Sequence, residues 1–237
     1  MRSAKSVGRT VGVLFLLHLA AGLTVPFILL QPLRISRILE TAAGIPNQVR
    51  AAALLLLVGS AMPIGVASAA WSVFRQYRSA MALWLLALAM ASFSLWAAGS
   101  ADILTMLSLS QEYAKAGVAK AELFQALAMV VGAAWKWLHY IALIVSVSWM
   151  FLLYGLLYRF RLVPRALAAF GAVATVVQIT GVSLRGLLGY SPETRLALPL
   201  APAYVGLAVW LIVKGFDERH RPLPAEADGS ELAGAQS

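Results

Sequence analysis

The sequence predicts an all-α membrane protein of six transmembrane helices plus short interfacial helices, with both termini in the cytoplasm. Three observations carry this expectation. Of the 237 residues, 61% are hydrophobic and 12% are charged, whereas an ordinary soluble domain is about a quarter charged. The apolar residues fall into six runs, each of roughly 18–23 residues, the length that spans ~30 Å of hydrocarbon at 1.5 Å per residue. The Lys and Arg residues gather at the ends of those runs, where they anchor a chain against anionic lipid and set its orientation.

The first span, about 11–30, follows a basic N-terminus rich in small residues, MRSAKSVGRT. It is longer than a signal-peptide core and ends at Gln31-Pro32 without a convincing cleavage site, so it reads as uncleaved. Pro26 falls in its last turn and His18 in its cytoplasmic half. In the loop that follows, Leu33, Ile35, Ile38 and Leu39 interleave with Arg34, Arg37 and Glu40, the pattern of a short interfacial helix. The second span, about 49–74, contains Met62-Pro63. A kink there is tolerated if neighbours satisfy the freed carbonyl. The third span covers about 80–101, with Asp102 next and an apolar extension to Leu109.

From Ala121 to Tyr158 there is no helix breaker. One helix over that stretch runs ~57 Å, longer than the bilayer is thick. The expectation is a split near Trp137, into an external or interfacial helix at 122–135 and a fourth span at about 137–157. A basic turn, Tyr158 to Arg165, leads to a fifth span at about 166–188. A tight turn, 189–195, leads to a sixth span at about 196–216, with Pro199 and Pro202 in its first turns. Residues 1–216 thus form a single membrane domain. The remainder, 217–237, is rich in Ala, Pro, Gly, Glu and Asp and reads as a disordered cytoplasmic tail.

Orientation follows from charge. With both termini inside, eleven Lys and Arg residues fall on the cytoplasmic side and eight outside. Every inner loop is purely basic, while the outer segments also hold Glu40, Asp102, Glu112, Glu122 and Glu193. The net charge of +9 is therefore a topology signal, and the expected partner is the lipid bilayer rather than nucleic acid. The chain has no cysteine, which removes disulfides, thiolate metal sites, Fe–S clusters and a Cys nucleophile.

Several segments together resemble a known family. They are Leu138-His139, the aromatic run Trp149 to Gly155, and the exit Tyr158-Arg159 with Val163-Pro164-Arg165. To these add Arg9, Gly12 and Leu14 to Leu17 at the first span, Asn47 to Arg50 at the second, and Trp210 to Gly215 closing the sixth. In order, over about residues 7–216, this is similar to a bacterial six-helix membrane family catalogued only as a domain of unknown function. The third span departs from the pattern, holding apolar, Ala and Ser residues where the family places an arginine. The resemblance implies the fold and a multi-pass location in the bacterial inner membrane. It implies no reaction and brings no catalytic residue.

An ionisable side chain inside a membrane helix is a functional candidate because its burial costs ~2.5 kcal/mol or more at mid-bilayer. By rise per residue, His18 and His139 differ in depth by ~16 Å, too far for one haem iron. His139 lies near the outer face, within a turn or two of Asp102, Lys136, Arg50 and Arg185. Trp135, His139, Ser146 and Trp149 share one helical stripe. These residues outline an outward-opening polar cluster with aromatic walls and a cationic bias, suited to an anionic or amphipathic ligand. Asp102 is placed to pair with Arg185 or to orient His139. The plainer alternative is that the charges snorkel and the tryptophans form an interfacial belt. Thr175 and Gln178 sit at mid-membrane, where interhelical hydrogen bonding is expected ahead of substrate contact.

No HExxH, GxSxG, P-loop or GxGxxG motif is present. No cofactor and no metal is expected. Three readings remain open. The first is a non-enzymatic module that binds or moves a small or lipid-like ligand at the outer cluster. The second is an enzyme using His139 and Asp102 as an acid–base pair. The third is a structural or regulatory subunit, in a homo-oligomer or docked on a partner.

Overall fold

A computed structural model describes residues 3–31, 38–116, 120–186, 188–189 and 199–217. Within them the architecture is helical throughout, in the order α1 (Ala4–Thr24), α2 (Ile38–Thr41), α3 (Pro46–Ala116), α4 (Ala121–Arg159), α5 (Arg165–Gly186) and α6 (Leu200–Val213). Helix α1, extended to Leu29 by a π-helical turn, and α3, α4 and α5 are long and apolar enough to cross a membrane, and α6 is a shorter apolar helix. Many large apolar side chains face outward, among them Phe27, Ile28, Leu83, Trp84 and Val173. That surface suits hydrocarbon as its solvent and is costly in water.

Helix α3 is bent back on itself. Its helical backbone breaks at Arg78, where φ is −163° and ψ is 102°. The first arm, 46–77, and the second, 79–116, then run side by side: Val49 and Ala53 near the start of one pack with Ile103 and Leu107 near the end of the other. The two arms coincide with the second and third spans expected from the sequence, the second arm running past Ala101 to Ala116.

Helix α4 differs from expectation. It continues unbroken from Ala121 to Arg159, with no split near Trp137. The expected break rested on bilayer thickness alone. Nothing in the chain between Ala121 and Tyr158 enforces it, and a helix whose backbone bonds are internal can overrun the hydrocarbon. Part of the expected loop helix at 33–39 and the turn at 190–195 lie outside the described residues, as does the whole tail beyond Asp217.

The helices close into a ring in which α1 packs on α3, α3 on α4, α4 on α5, α5 on α6, and α6 back on α1. One large core fills it, built from Phe15, Phe74, Leu85, Trp149, Tyr154, Leu207 and their neighbours. Small residues bring the backbones close. A Cβ on Gly8 would lie 2.6 Å from Phe216 N, and one on Gly12 would lie 2.8 Å from Ala208 O, so the Gly8-xxx-Gly12 pair seats α1 against α6. Gly171 of α5 faces the ring of Tyr154.

Pro63 sits inside α3. Proline lacks an N–H, so the carbonyl four residues earlier, Gly59 O, loses its helical partner. His18 supplies the replacement: its Nδ1 lies 3.0 Å from Gly59 O, and because a carbonyl only accepts, that nitrogen carries the proton. At the same crossing Gly59 admits the methyl of Ala21. His18 is therefore a structural histidine that completes a proline-kinked helix.

Candidate functional site

The candidate site lies where the second arm of α3 meets α4. Ser146 Oγ is its branch point. It donates to Ala142 O at 2.7 Å and accepts from Trp96 Nε1 at 2.9 Å. Ser92 Oγ, 2.7 Å away, is then the donor in their contact, since the Ser146 proton is already committed. These bonds fix the Trp96 indole in the seam. Its ring meets His139 edge-on, with centroids 5.3 Å apart and planes at 85°. One turn back along α4, Trp135 stacks on the same imidazole at 5.3 Å and 25°. Helical spacing explains the arrangement, because residues 135, 139, 142 and 146 of α4 all face the neighbouring arm.

His139 is half-buried against the two indoles, and among the described residues neither ring nitrogen has a hydrogen-bond partner. The arrangement offers a ligand an aromatic wall and one imidazole with its polar atoms unclaimed. Such a site binds flat or amphipathic groups through ring faces and orients them with one or two hydrogen bonds.

The charged candidates surround this centre without bonding to it. Asp102 is half-buried and has no hydrogen-bond or ion-pair partner among the described residues. The expected pairing with Arg185, or a bond to His139, is not formed in this structure. Arg185 is exposed in the last turn of α5, next to Gly186, which packs on the Tyr140 ring. Lys136 is exposed, its ammonium 5.6 Å from the centre of the Trp137 ring. Arg50 is exposed and donates from Nη1 to Asn47 Oδ1 at 3.3 Å. Trp149 lies apart: it is buried in the core, stacked on Phe15 at 6.0 Å, and its Nε1 has no partner. Among the described residues no group of three or more His, Asp or Glu side chains gathers as a metal site would.

The family model described as Domain of unknown function (DUF4386) matches residues 10–215. The chain belongs to this family. No curated protein and no solved structure matches it. In this DUF4386 chain the matched region holds every residue of the candidate site. Two of them, Trp96 and Ser92, do not stand out in the sequence. Their signal is faint but present: a Ser and a Trp at i, i+4 on one face of the third span, within three turns of Asp102.

Proposed function

We propose that this protein is a non-enzymatic module of the bacterial inner membrane, with six spans and both ends in the cytoplasm. It binds a small or lipid-like amphipathic ligand at the mouth formed by His139, Trp135 and Trp96. The two arms of α3 supply the second and third spans, and α6 supplies the sixth. Orientation is supported by charge. Among the described residues the end holding Lys5, Arg9, Arg78, Arg159 and Lys214 has eight Lys and Arg against one carboxylate, Asp217, and the opposite end has five against four. The basic end is cytoplasmic under the positive-inside rule.

The observation that carries the binding function is the imidazole of His139, in contact with two indoles and with neither nitrogen claimed among the described residues. His18, which completes the proline-kinked helix, has its partner in Gly59 O, whereas His139 has none among the described residues. The acid–base reading gains less, because Asp102 and His139 are not joined. Comparative lipidomics and native mass spectrometry on the purified full chain test the proposal. A specific co-purifying molecule is expected on the wild type and is lost from His139→Ala. Identical spectra from the two would remove the site.

A second reading rests on a separate feature. The outward face of the first half of α4 carries Leu123, Leu127, Val130 and Trp137 at 4-3-7 spacing, all exposed. At 1.5 Å per residue α4 is ~58 Å long, so this half overhangs ~30 Å of hydrocarbon. An overhanging apolar stripe favours a subunit that docks through α4.

A further inference from the structure

We propose that the break of α3 at Arg78 and the turn between α4 and α5 together form a binding site for a phosphate group, the anion carried by acidic lipid headgroups. The proposal does not depend on the mouth at His139, which lies at the other end of the bundle.

The two turns are far apart in sequence and are clamped together by one ring contact. Tyr77 and Phe160 have centroids 4.6 Å apart with planes at 30°. Arg78 follows Tyr77 in the chain, and Phe160 stands between Arg159 and Arg161, so three arginines are carried by residues adjoining that contact. Arg75 lies one turn back on α3. Arg165 opens α5, its guanidinium 5.5 Å from the centre of the Tyr158 ring. Arg75, Arg78, Arg159, Arg161 and Arg165 are all exposed.

Three features distinguish this face from an ordinary topology signal. First, every basic residue of the two turns is arginine, while Lys5 and Lys214 serve elsewhere at the same end. Lysine satisfies the positive-inside rule as well as arginine does, but only the planar guanidinium grips a phosphate with two parallel donors. Second, Arg75, Arg78, Arg159 and Arg165 have no carboxylate partner among the described residues. Like charges carried on two adjoining turns repel one another, and an anion shared between the turns relieves that repulsion. Third, the turn between α4 and α5 is held in an unusual form: Arg161 has φ of 52°, a left-handed conformation that non-glycine residues adopt sparingly. The N-terminus of α5 adds free N–H groups, with no acidic residue in its first turn.

The full chain in nanodiscs of phosphatidylcholine doped with phosphatidylglycerol provides the test, read by native mass spectrometry as the lipids retained on release. Phosphatidylglycerol is expected to outlast phosphatidylcholine. Arg78→Gln and Arg159→Gln, one on each turn, should each weaken that retention about tenfold, the effect of ~1.4 kcal/mol. Arg78→Lys should fall between, and Lys120→Gln at the opposite end should match the wild type. Circular dichroism confirms that the variants are folded. Equal retention of both lipids overturns the proposal. So does a loss from Lys120→Gln as large as that from Arg78→Gln, or full retention by Arg78→Lys. Millimolar inorganic phosphate separates the two sources of the anion. Phosphatidylglycerol that persists in its presence supports a lipid site, and displacement would reassign the face to soluble phosphate and refute the lipid.

Discussion

The two ends of this bundle are held together by different means. At the basic end, backbones distant in sequence touch directly. A Cβ on Gly215 would lie 2.6 Å from Lys5 Cα, and Asp217 N donates to Leu162 O at 2.9 Å. At the other end the seam between α3 and α4 is made by side chains: Ser92, Trp96, Trp135, His139 and Ser146. Backbone contacts leave little freedom, because neither partner can rotate aside. Side-chain contacts can rearrange through rotamers. The first end is therefore the more rigid platform and the second the more adjustable mouth, in keeping with the anion site and the ligand site proposed for them.

The largest test of that contrast is Gly8→Val. Two extra methyl groups on a new Cβ would meet the backbone at Gly215 and Phe216. We expect a loss of about 3 kcal/mol, at the upper end for overpacking, measured by thermal or steric-trap unfolding in detergent. A loss below about 0.5 kcal/mol, typical of free surface positions, would show that the platform yields and the contrast is wrong.

Between the ends stands the Pro63 kink. His18→Ala removes the partner of Gly59 O and should cost about 1–3 kcal/mol, the penalty of one unsatisfied buried polar group. Adding Pro63→Ala should restore much of it, since alanine brings back the N–H that proline lacks and can reach Gly59 O along the helix. Strictly additive losses in the double variant would refute the assigned role of His18 and sharpen interest in it as a ligand group.

The smallest effect is expected at the mouth. Trp96→Phe keeps the ring beside His139 but removes the donor to Ser146 Oγ. A stability change of about 1 kcal/mol is expected, the net worth of one hydrogen bond. Fluorescence and ligand retention should change more than stability does. A loss as large as that from Gly8→Val would erase the difference between the two ends.

Much of the fold was legible in the sequence because membrane helices are bounded by length and polarity. The apolar runs mark where α1, both arms of α3, α5 and α6 lie, although α1 begins seven residues before the run that predicts it and the second arm of α3 ends fifteen residues beyond its own. The need to satisfy a carbonyl beside Pro63 was also legible, since it follows from the missing N–H alone. The break at Arg78 lies at the short basic exit Arg75-Gln-Tyr-Arg78. The length argument failed at α4, where bilayer thickness was used to infer a break that no residue enforces. At the site, the stripe Trp135–His139–Ser146 could be read from helical spacing, which is a property of one helix.

What pairs with that stripe could not be read, because contact between helices depends on their rotation and depth relative to each other. No local rule sets those quantities. Only the tertiary structure brings Trp96 to His139, sinks Trp149 into the core against Phe15, and leaves Asp102 without a partner among the described residues. Only there does His18 reach Gly59 O across 41 residues of chain, and Tyr77 meet Phe160 to join the two arginine turns. The sequence by itself determined which segments are helices and what solvent they suit, through the cost of exposing apolar area and leaving backbone groups unpaired. The packing of one helix on another decided which side chains became partners.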